Sequence, residues 1–129
     1  MIPEDLRFHK EHEWVRVKGR QATVGISDFA QDALGDIVFI ELAKLGTTVK
    51  TGQQIGEIES TKTTSTLYTP VSGTIAQVNG ELKDHPEVVN SDPYGRGWMV
   101  IIDLSDAGEV DTLMTAAQYE AFLANQKKG

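Results

Sequence analysis

One lysine lies between two short runs of apolar and β-branched residues, and this pattern restricts the possible folds more than any other part of the sequence. Residues 55–58 and 67–71 have the composition of strands, and the small hydroxyl residues between them are typical of a turn. The segment 56–73 is therefore predicted to form a β-hairpin with Lys62 near its tip. Its threonine and serine neighbours provide no apolar wall, so Schiff-base catalysis is not expected. Such a lysine is either a solvated charge or a modification site.

Most of the remaining sequence also has the patterns of β-strands. The predicted strands cover residues 14–18, 22–26, 37–42, 74–78 and 98–104. Gly19 and Arg20 form the turn of a first hairpin, and Asn79 with Gly80 is a second turn pair. Residues 37–42 are almost continuously apolar, which predicts a buried strand. The chain is therefore predicted to be mostly β.

A few short helices are expected between and after these strands. Their predicted starts are Ser27 or Asp28, Asp106, and Thr115, and the first helix should stop at Gly35. The helix that begins at Asp106 is expected to present Val110, Leu113 and Met114 on one face, and the last helix to present Tyr119, Phe122 and Leu123. Residues 81–97 contain two prolines and two glycines and are predicted to form an ordered loop. Both later helices are C-terminal.

The composition is that of a globular protein with an acidic surface. Of the 129 residues, 40% are hydrophobic and 24% are charged, and the formal net charge is −7. Phosphate binding needs clustered Lys and Arg, so neither nucleic acid nor an anionic membrane is expected as a partner. The first residues lack the features of a signal or transit peptide, and no apolar run has the length of a membrane span, so a cytoplasmic protein is expected. With no cysteine, sulfur redox chemistry would have to come from a cofactor.

Crowded histidines and carboxylates near the start of the chain raise the question of a metal site. His9, Glu11, His12 and Glu13 are close in sequence, and such side chains can bind metal ions. They precede a strand, so no helix supports an i, i+4 pair of ligands on one face. A solvated polar edge is therefore expected, with no metal.

An ordered set of short motifs extends through most of the chain. The motifs are His-Glu-Trp at 12–14, Gly-Ile-Ser-Asp-Phe-Ala-Gln at 25–31, Leu-Gly-Asp-Ile-Val-Phe at 34–39, Glu-Ser-Thr-Lys at 59–62, Pro-Val-Ser-Gly at 70–73, Asn-Ser-Asp-Pro-Tyr at 90–94 and Gly-Trp at 97–98. This set resembles the H protein of the glycine cleavage system, a lipoyl-carrying family. The resemblance implies a lipoyl/biotinyl-domain-like barrel-sandwich hybrid, with residues 1–129 forming a single H-protein-like lipoyl-binding domain.

The same resemblance implies a carrier with no catalytic residue of its own. Lys62 would carry lipoate as an amide, Glu59 would belong to the motif that is recognised for lipoylation, and Glu13 would line the cleft where the loaded aminomethyl arm docks. The implied partners are glycine decarboxylase (P protein), the aminomethyltransferase (T protein), dihydrolipoamide dehydrogenase (L protein), and a lipoate ligase or lipoyl/octanoyl transferase that loads the lysine. A monomer is expected.

Two positions next to the lysine depart from the family pattern. Thr61 replaces a common valine, and Thr66 replaces a common aspartate. Thr66 cannot supply a carboxylate charge, so protection of a loaded arm would be weaker or would depend on Glu13. Three alternatives follow: a lipoyl or octanoyl relay to 2-oxoacid dehydrogenases, a biotinyl carrier, and an unmodified interaction module. The biotinyl carrier is disfavoured, because its lysine commonly lies between methionines.

Overall fold

The computed structural model describes residues 2–128, and of residues 126–128 only the backbone. The strands are β1 (Arg7–Phe8), β2 (Glu13–Lys18), β3 (Gln21–Ile26), β4 (Ile37–Leu42), β5 (Thr48–Val49), β6 (Gln54–Ser60), β7 (Thr64–Tyr68), β8 (Gly73–Val78), β9 (Val100–Leu104) and β10 (Met114–Thr115). The helices are α1 (Asp28–Leu34), α2 (Glu81–Asp84), α3 (Val88–Ser91) and α4 (Ala116–Lys128), with a 3₁₀ helix over Ala107–Thr112.

The strands form two antiparallel sheets. The larger sheet has the order β10-β1-β2-β3-β9-β8-β5, and the smaller has the order β4-β6-β7. The prediction of a mostly β protein with short helices, one of them C-terminal, is confirmed. Both predicted hairpins are present, β2–β3 around Gly19 and β6–β7 around Lys62.

Two groups of buried side chains hold the layers together. The main core lies between the sheets and includes Val24, Ile58 and Ile102. A second cluster lies under α4 and contains Leu6, Phe8, Trp14, Ala116 and Tyr119. Burial of apolar surface at these two places is the main stabilising contribution to the fold.

The C-terminal helix begins as its sequence predicts. The Gln118 amide nitrogen donates to Thr115 Oγ1, and the Thr115 amide nitrogen donates to Gln118 Oε1, which together form a capping box. From this start, the helix places Tyr119, Phe122 and Leu123 in or against the second cluster. Because that cluster also contains Phe8 and Trp14, α4 is fixed to the start of the larger sheet.

The prediction that 37–42 is a buried strand is wrong for part of its length. Ile37 and Ile40 are buried, but Val38 and Phe39 are each 50% exposed. In the smaller sheet, β4 pairs with β6 alone, and its register shifts between Ile37 and Phe39. An outer strand with this shift turns two consecutive apolar residues to solvent, which an apolar run in the sequence cannot reveal.

The region after β8 was also incorrectly predicted in three places. The predicted loop 81–97 contains α2 and α3, which bury Leu82, Val88 and Val89. The last long strand begins at Val100 and not at residue 98. The predicted helix after Asp106 is a 3₁₀ helix that ends before Leu113, and Met114 pairs with Phe8 as part of β10. Helices of four residues have too few positions to show a helical period in the sequence.

Candidate functional site

Lys62 lies in a tight turn that is organised by a buried serine. The turn occupies residues 61–63, and Lys62 is exposed. Ser60 is buried, and its Oγ accepts from the backbone N–H of Lys62 at 3.3 Å and of Thr63 at 3.1 Å. The Ser60 amide also donates to the Thr63 carbonyl oxygen at 2.8 Å. In the sequence, Ser60 is recognisable only as part of the Glu-Ser-Thr-Lys motif. Its role in the turn could have been expected, because a serine hydroxyl often accepts from a backbone amide two or three residues further on.

The turn is attached to the end of α1. The Thr61 amide donates to the Asp36 carbonyl oxygen at 3.0 Å. Gly35 ends α1 with a φ of +82°, and a Cβ at this glycine would come within 3.1 Å of Lys62 Cε. Glycine is therefore suited to this position both by its backbone conformation and by the close approach of the lysine. The lysine side chain thus leaves the hairpin beside the C-terminal end of α1.

A cleft of about 200 Å³ lies along α1, the start of β2 and the strand β7. Apolar side chains of α1 and the two sheets form most of its wall, and polar groups form the rest. The lining residues are Glu11, His12, Glu13, Ile26, Phe29, Ala30, Ala33, Leu34, Ile58, Ser65, Thr66 and Leu67. Leu34 adjoins Gly35, against which Lys62 lies, so the cleft and the lysine meet at the end of α1. The Lys62 hairpin and Glu13 are thus brought to one region.

Glu13 is the buried carboxylate of this cleft. The residue is 2% exposed, and its Oε1 has no hydrogen-bond donor among the described residues. Burial raises the pKa of Glu13, and nearby His9 and the Tyr68 backbone act in the opposite direction. A buried carboxylate without a full set of donors is costly, and a bound cation would relieve that cost.

The turn before Glu13 is strained and is braced by α4. His12 has a φ of +74°, an uncommon value for a residue other than glycine. The Tyr119 hydroxyl lies 2.7 Å from His12 Nδ1 and 2.7 Å from Ser27 Oγ. Ser27 also caps α1 by accepting from the Ala30 amide. Burial raises the pKa of Tyr119 to about 12, so its hydroxyl keeps its proton and can donate. Tyr119 therefore connects α4 to two walls of the cleft.

The other sequence-predicted residues lie around this site. Glu59 is exposed on β6, opposite Phe39 and Thr64, and outside the cleft. Thr66 lines the cleft on β7. Glu11, which sequence analysis assigned to a solvated edge, lies at the same cleft and provides a second carboxylate. In the described part of the chain, no three acidic or histidine side chains are grouped so as to hold a metal ion.

None of the helices within residues 2–128 is both long enough and apolar enough to cross a membrane.

Comparisons with known proteins agree with this arrangement. The family model described as "Glycine cleavage H-protein" matches residues 6–126. The glycine cleavage system H protein of Brevibacillus brevis is 53% identical over 122 residues, covering 95% of this chain and 97% of that protein. The Bacillus subtilis protein of the same name is 52% identical over 119 residues, covering 92% of this chain and 94% of that protein. A crystal structure of the glycine cleavage system H protein from Mycobacterium marinum superposes with a TM-score of 0.87 at 40% identity. The match covers 95% of this chain and 99% of that one.

These matches extend over nearly the whole chain and over both the lysine hairpin and the cleft. They confirm the barrel-sandwich fold and do not favour a relay to 2-oxoacid dehydrogenases. On sequence and on structure alike, the chain belongs to the glycine cleavage H-protein family.

Proposed function

We propose that Lys62 carries lipoate as an amide and that the resulting arm moves the aminomethyl group of glycine between enzymes. As a member of its family, the chain is a carrier in glycine cleavage and not an enzyme. The observation that carries the proposal is the position of Lys62, exposed in its turn and leaving the hairpin beside the cleft that contains Glu13. Residues 1–129 would act as one lipoyl-binding domain.

The exposed turn supports attachment of a mobile arm. A modifying enzyme needs access to the lysine nitrogen and a fixed backbone around it. Ser60 fixes the backbone by hydrogen bonds, while the side chain of Lys62 forms no ion pair within the described residues. Glu59, three residues before Lys62 on β6, is exposed on the same hairpin and can be read by a lipoate ligase or a lipoyl/octanoyl transferase.

The cleft supports protection of the loaded arm. An aminomethyl group on sulfur is lost when water reaches it, so an apolar wall that excludes water slows this loss. Glu13 can pair with the ammonium of the loaded arm, and a charge-assisted hydrogen bond in a buried site is strong. The unloaded arm has no cation to pair with Glu13 and gains less from entering the cleft. The expected result is a free arm that is mobile and a loaded arm that is held.

The outer face of the smaller sheet supports contact with partner enzymes. Glu41 pairs with Glu57 in the β4–β6 ladder, Phe39 pairs with Glu59, and all four are exposed. This face adjoins the Lys62 turn, so a partner that reaches the lysine would meet three carboxylates around an exposed aromatic ring. We propose P protein, T protein, L protein and the loading enzyme as the partners, with basic surfaces that steer their approach.

The first test is the mass of the protein produced in cells supplied with lipoate. Wild type, Lys62→Arg and Lys50→Arg are compared by intact mass and by peptide mapping. Lys50→Arg is the matched control, because Lys50 is also an exposed lysine outside a strand. We expect a lipoyl increment on the Lys62 peptide in wild type and in Lys50→Arg, and no increment in Lys62→Arg. An unmodified Lys62 in the presence of an active ligase contradicts the carrier proposal.

A second test asks which pathway the loaded arm serves. The lipoylated protein is added to P protein with glycine, and release of CO2 is measured. Glycine-dependent decarboxylation that needs the lipoyl group supports the proposed function. A lipoylated protein that gives no decarboxylation but donates its acyl group to a 2-oxoacid dehydrogenase would favour the relay.

A further inference from the structure

We propose that His9 and Glu13 share one proton while the cleft is empty, and that this proton leaves through His9 when the ammonium of a loaded arm binds to Glu13. His9 would thus be a positioning residue that controls the charge on Glu13. The inference rests on the proposed function, because it requires the loaded arm to bind in the cleft.

His9 and Glu13 are in contact but line two different cavities. His9 Nδ1 lies 3.2 Å from Glu13 Oε1, and the two side chains are 19% and 3% exposed. Glu13 lines the cleft beside α1, whereas His9 lines a second cavity of about 410 Å³ together with Phe8 and Leu113. The imidazole therefore stands between a buried carboxylate and a wider, more open cavity through which a proton can reach water.

The hydrogen-bond inventory leaves a place for one proton between the two groups. His9 Nδ1 accepts from the Glu11 amide at 3.1 Å, so in a neutral imidazole this nitrogen is an acceptor. Glu13 Oε1 has no donor among the described residues. Two acceptors 3.2 Å apart repel each other unless a proton lies between them. The structure shows this contact at ion-pair distance and not as a hydrogen bond. Nδ1 has a single lone pair, so a proton that lies between Nδ1 and Oε1, on either atom, takes the place of the hydrogen bond from the Glu11 amide.

No other titratable group is placed to neutralise Glu13. Among the described residues, His9 alone forms an ion-pair contact with Glu13. The nearby titratable groups are Lys10, Glu11 and His12 in the same turn, Tyr119 on α4, and Glu109, which lines the outer cavity with His9. Glu109 is already occupied by hydrogen bonds from Ser72 and Thr51. Burial raises the pKa of Glu13, which favours a proton on the pair in the empty cleft.

Loading the cleft then exchanges one cation for one proton. The ammonium of the arm donates to the Glu13 carboxylate, and the shared proton is transferred to His9 and then to water in the outer cavity. No bond between heavy atoms changes, and no oxidant or reductant is needed. Because one proton leaves for each ammonium bound, docking of the arm should weaken as the pH falls through the titration of the pair.

The test begins with the empty protein, selectively labelled with ¹³C in its glutamate carboxyl groups and histidine rings. The carboxyl carbon of Glu13 and the ring of His9 are titrated by NMR in wild type, His9→Asn and Lys10→Arg. Asparagine keeps an oxygen that can accept from the Glu11 amide, but it cannot take up a proton. We expect the two wild-type signals to move with shared inflections, as coupled groups do. His9→Asn should leave a single, displaced Glu13 inflection, whereas Lys10→Arg keeps the neighbouring charge and should match wild type. An identical Glu13 titration in wild type and His9→Asn overturns the proposal.

The second part uses the lipoylated protein with a reduced arm. Treatment with ¹³C-formaldehyde and ammonium forms the carbon–sulfur and carbon–nitrogen bonds of the aminomethyl arm and releases one water. The methylene signal reports the ratio of docked to free arm. In wild type this ratio should fall by up to about tenfold for each unit by which the pH is lowered, the limit for release of one proton. In His9→Asn the plot of this ratio against pH should be shifted.

The outcomes separate this inference from the proposed function. An arm that docks with the same pH dependence in wild type and in His9→Asn overturns the role of His9 and leaves the cleft intact. An arm that never docks overturns the role of His9 and the cleft together, while the lipoyl increment on Lys62 still stands or falls by its own measurement. Unfolding midpoints of the variants identify any general loss of structure.

Discussion

The Lys62 turn and the Glu13 turn lie close together but are built in opposite ways. The Lys62 turn is exposed, and buried Ser60 satisfies its backbone by hydrogen bonds. The Glu13 turn contains the positive φ of His12, and its carboxylate is buried with an oxygen that lacks a donor. The first turn is stable as it stands, whereas the second is improved by a proton shared with His9 or by a bound cation. Attachment of the arm therefore needs only access, and retention of the arm uses an electrostatic cost already present in the fold.

The largest effect is expected from the substitution that removes the buried charge of Glu13. At pH values above the titration of the His9–Glu13 pair, Glu13→Gln should raise the free energy of unfolding by about 1–3 kcal/mol, the cost of a buried group left unsatisfied. The new amide carries no charge. Urea denaturation measures the change, and NMR of the loaded arm should show that docking is lost. A variant that is less stable than wild type at such a pH would mean that the Glu13 carboxylate is already satisfied in the empty protein.

The difference in unfolding free energy between wild type and Glu13→Gln should depend on pH in a defined direction. The pKa of Glu13 is raised in the folded protein, so folding favours its protonated form. The penalty is therefore absent below the ordinary carboxyl pKa, grows as the pH rises towards the folded pKa, and is complete above it. The stabilities of wild type and Glu13→Gln should converge at low pH and separate as the pH rises. A difference that is constant with pH would indicate a packing effect.

A smaller effect is expected at the end of α1. Gly35 has a φ of +82° and a ψ of −156°, a combination that is essentially limited to glycine. Gly35→Ala should therefore cost at least about 1 kcal/mol, and it brings a Cβ against the aliphatic part of Lys62. We expect lower stability and slower lipoylation of Lys62. Gly46→Ala is the matched control, because Gly46 has a φ of +87° but nothing near its Cβ position. Positive φ should lower stability in both variants, whereas the lipoylation rate should fall only in Gly35→Ala.

A comparable test addresses the serine of the lysine turn. Ser60→Ala removes the acceptor for two backbone amides and should cost about 1 kcal/mol, since the turn is near solvent and water can replace part of the loss. Lipoylation of Lys62 should slow, because the enzyme meets a less ordered turn. Ser65→Ala on β7 is the control, and kinetics followed by intact mass give the readout. Equal rates in wild type and Ser60→Ala would show that turn order does not matter for loading.

The sequence predicts the lysine turn better than the glutamate turn, for a physical reason. Apolar runs and hydroxyl residues within one segment determine the β6–β7 hairpin, so Lys62 can be placed at its tip from local pattern alone. The bracing of the other turn depends on Tyr119, which is 107 residues from His12 and 92 from Ser27. No local pattern encodes such contacts. The exposure of Phe39 and the short helices α2 and α3 were missed because strand position and tertiary burial decide them.

The smallest effect on stability is expected from introducing, at residue 66, the aspartate that the sequence resemblance leads one to expect there. This variant also separates the two turns most clearly. Thr66→Asp adds a carboxylate to the cleft wall that already contains Glu13. In the empty protein, like charges should raise the pKa of Glu13 further and lower stability by about 0.5 kcal/mol.

In the loaded protein, the same added charge should act in the opposite direction, because the ammonium now has a further carboxylate to pair with. The ratio of docked to free arm should rise several-fold, as measured by the ¹³C signal of the arm. Thr64→Asp is the control: it adds the same charge on β7, but residue 64 does not line the cleft. Equal docking in the two aspartate variants would mean that general negative charge attracts the arm. A gain in Thr66→Asp alone would show that the arm is held by charges inside the cleft, and that this chain holds it more loosely than a relative with an aspartate at that position.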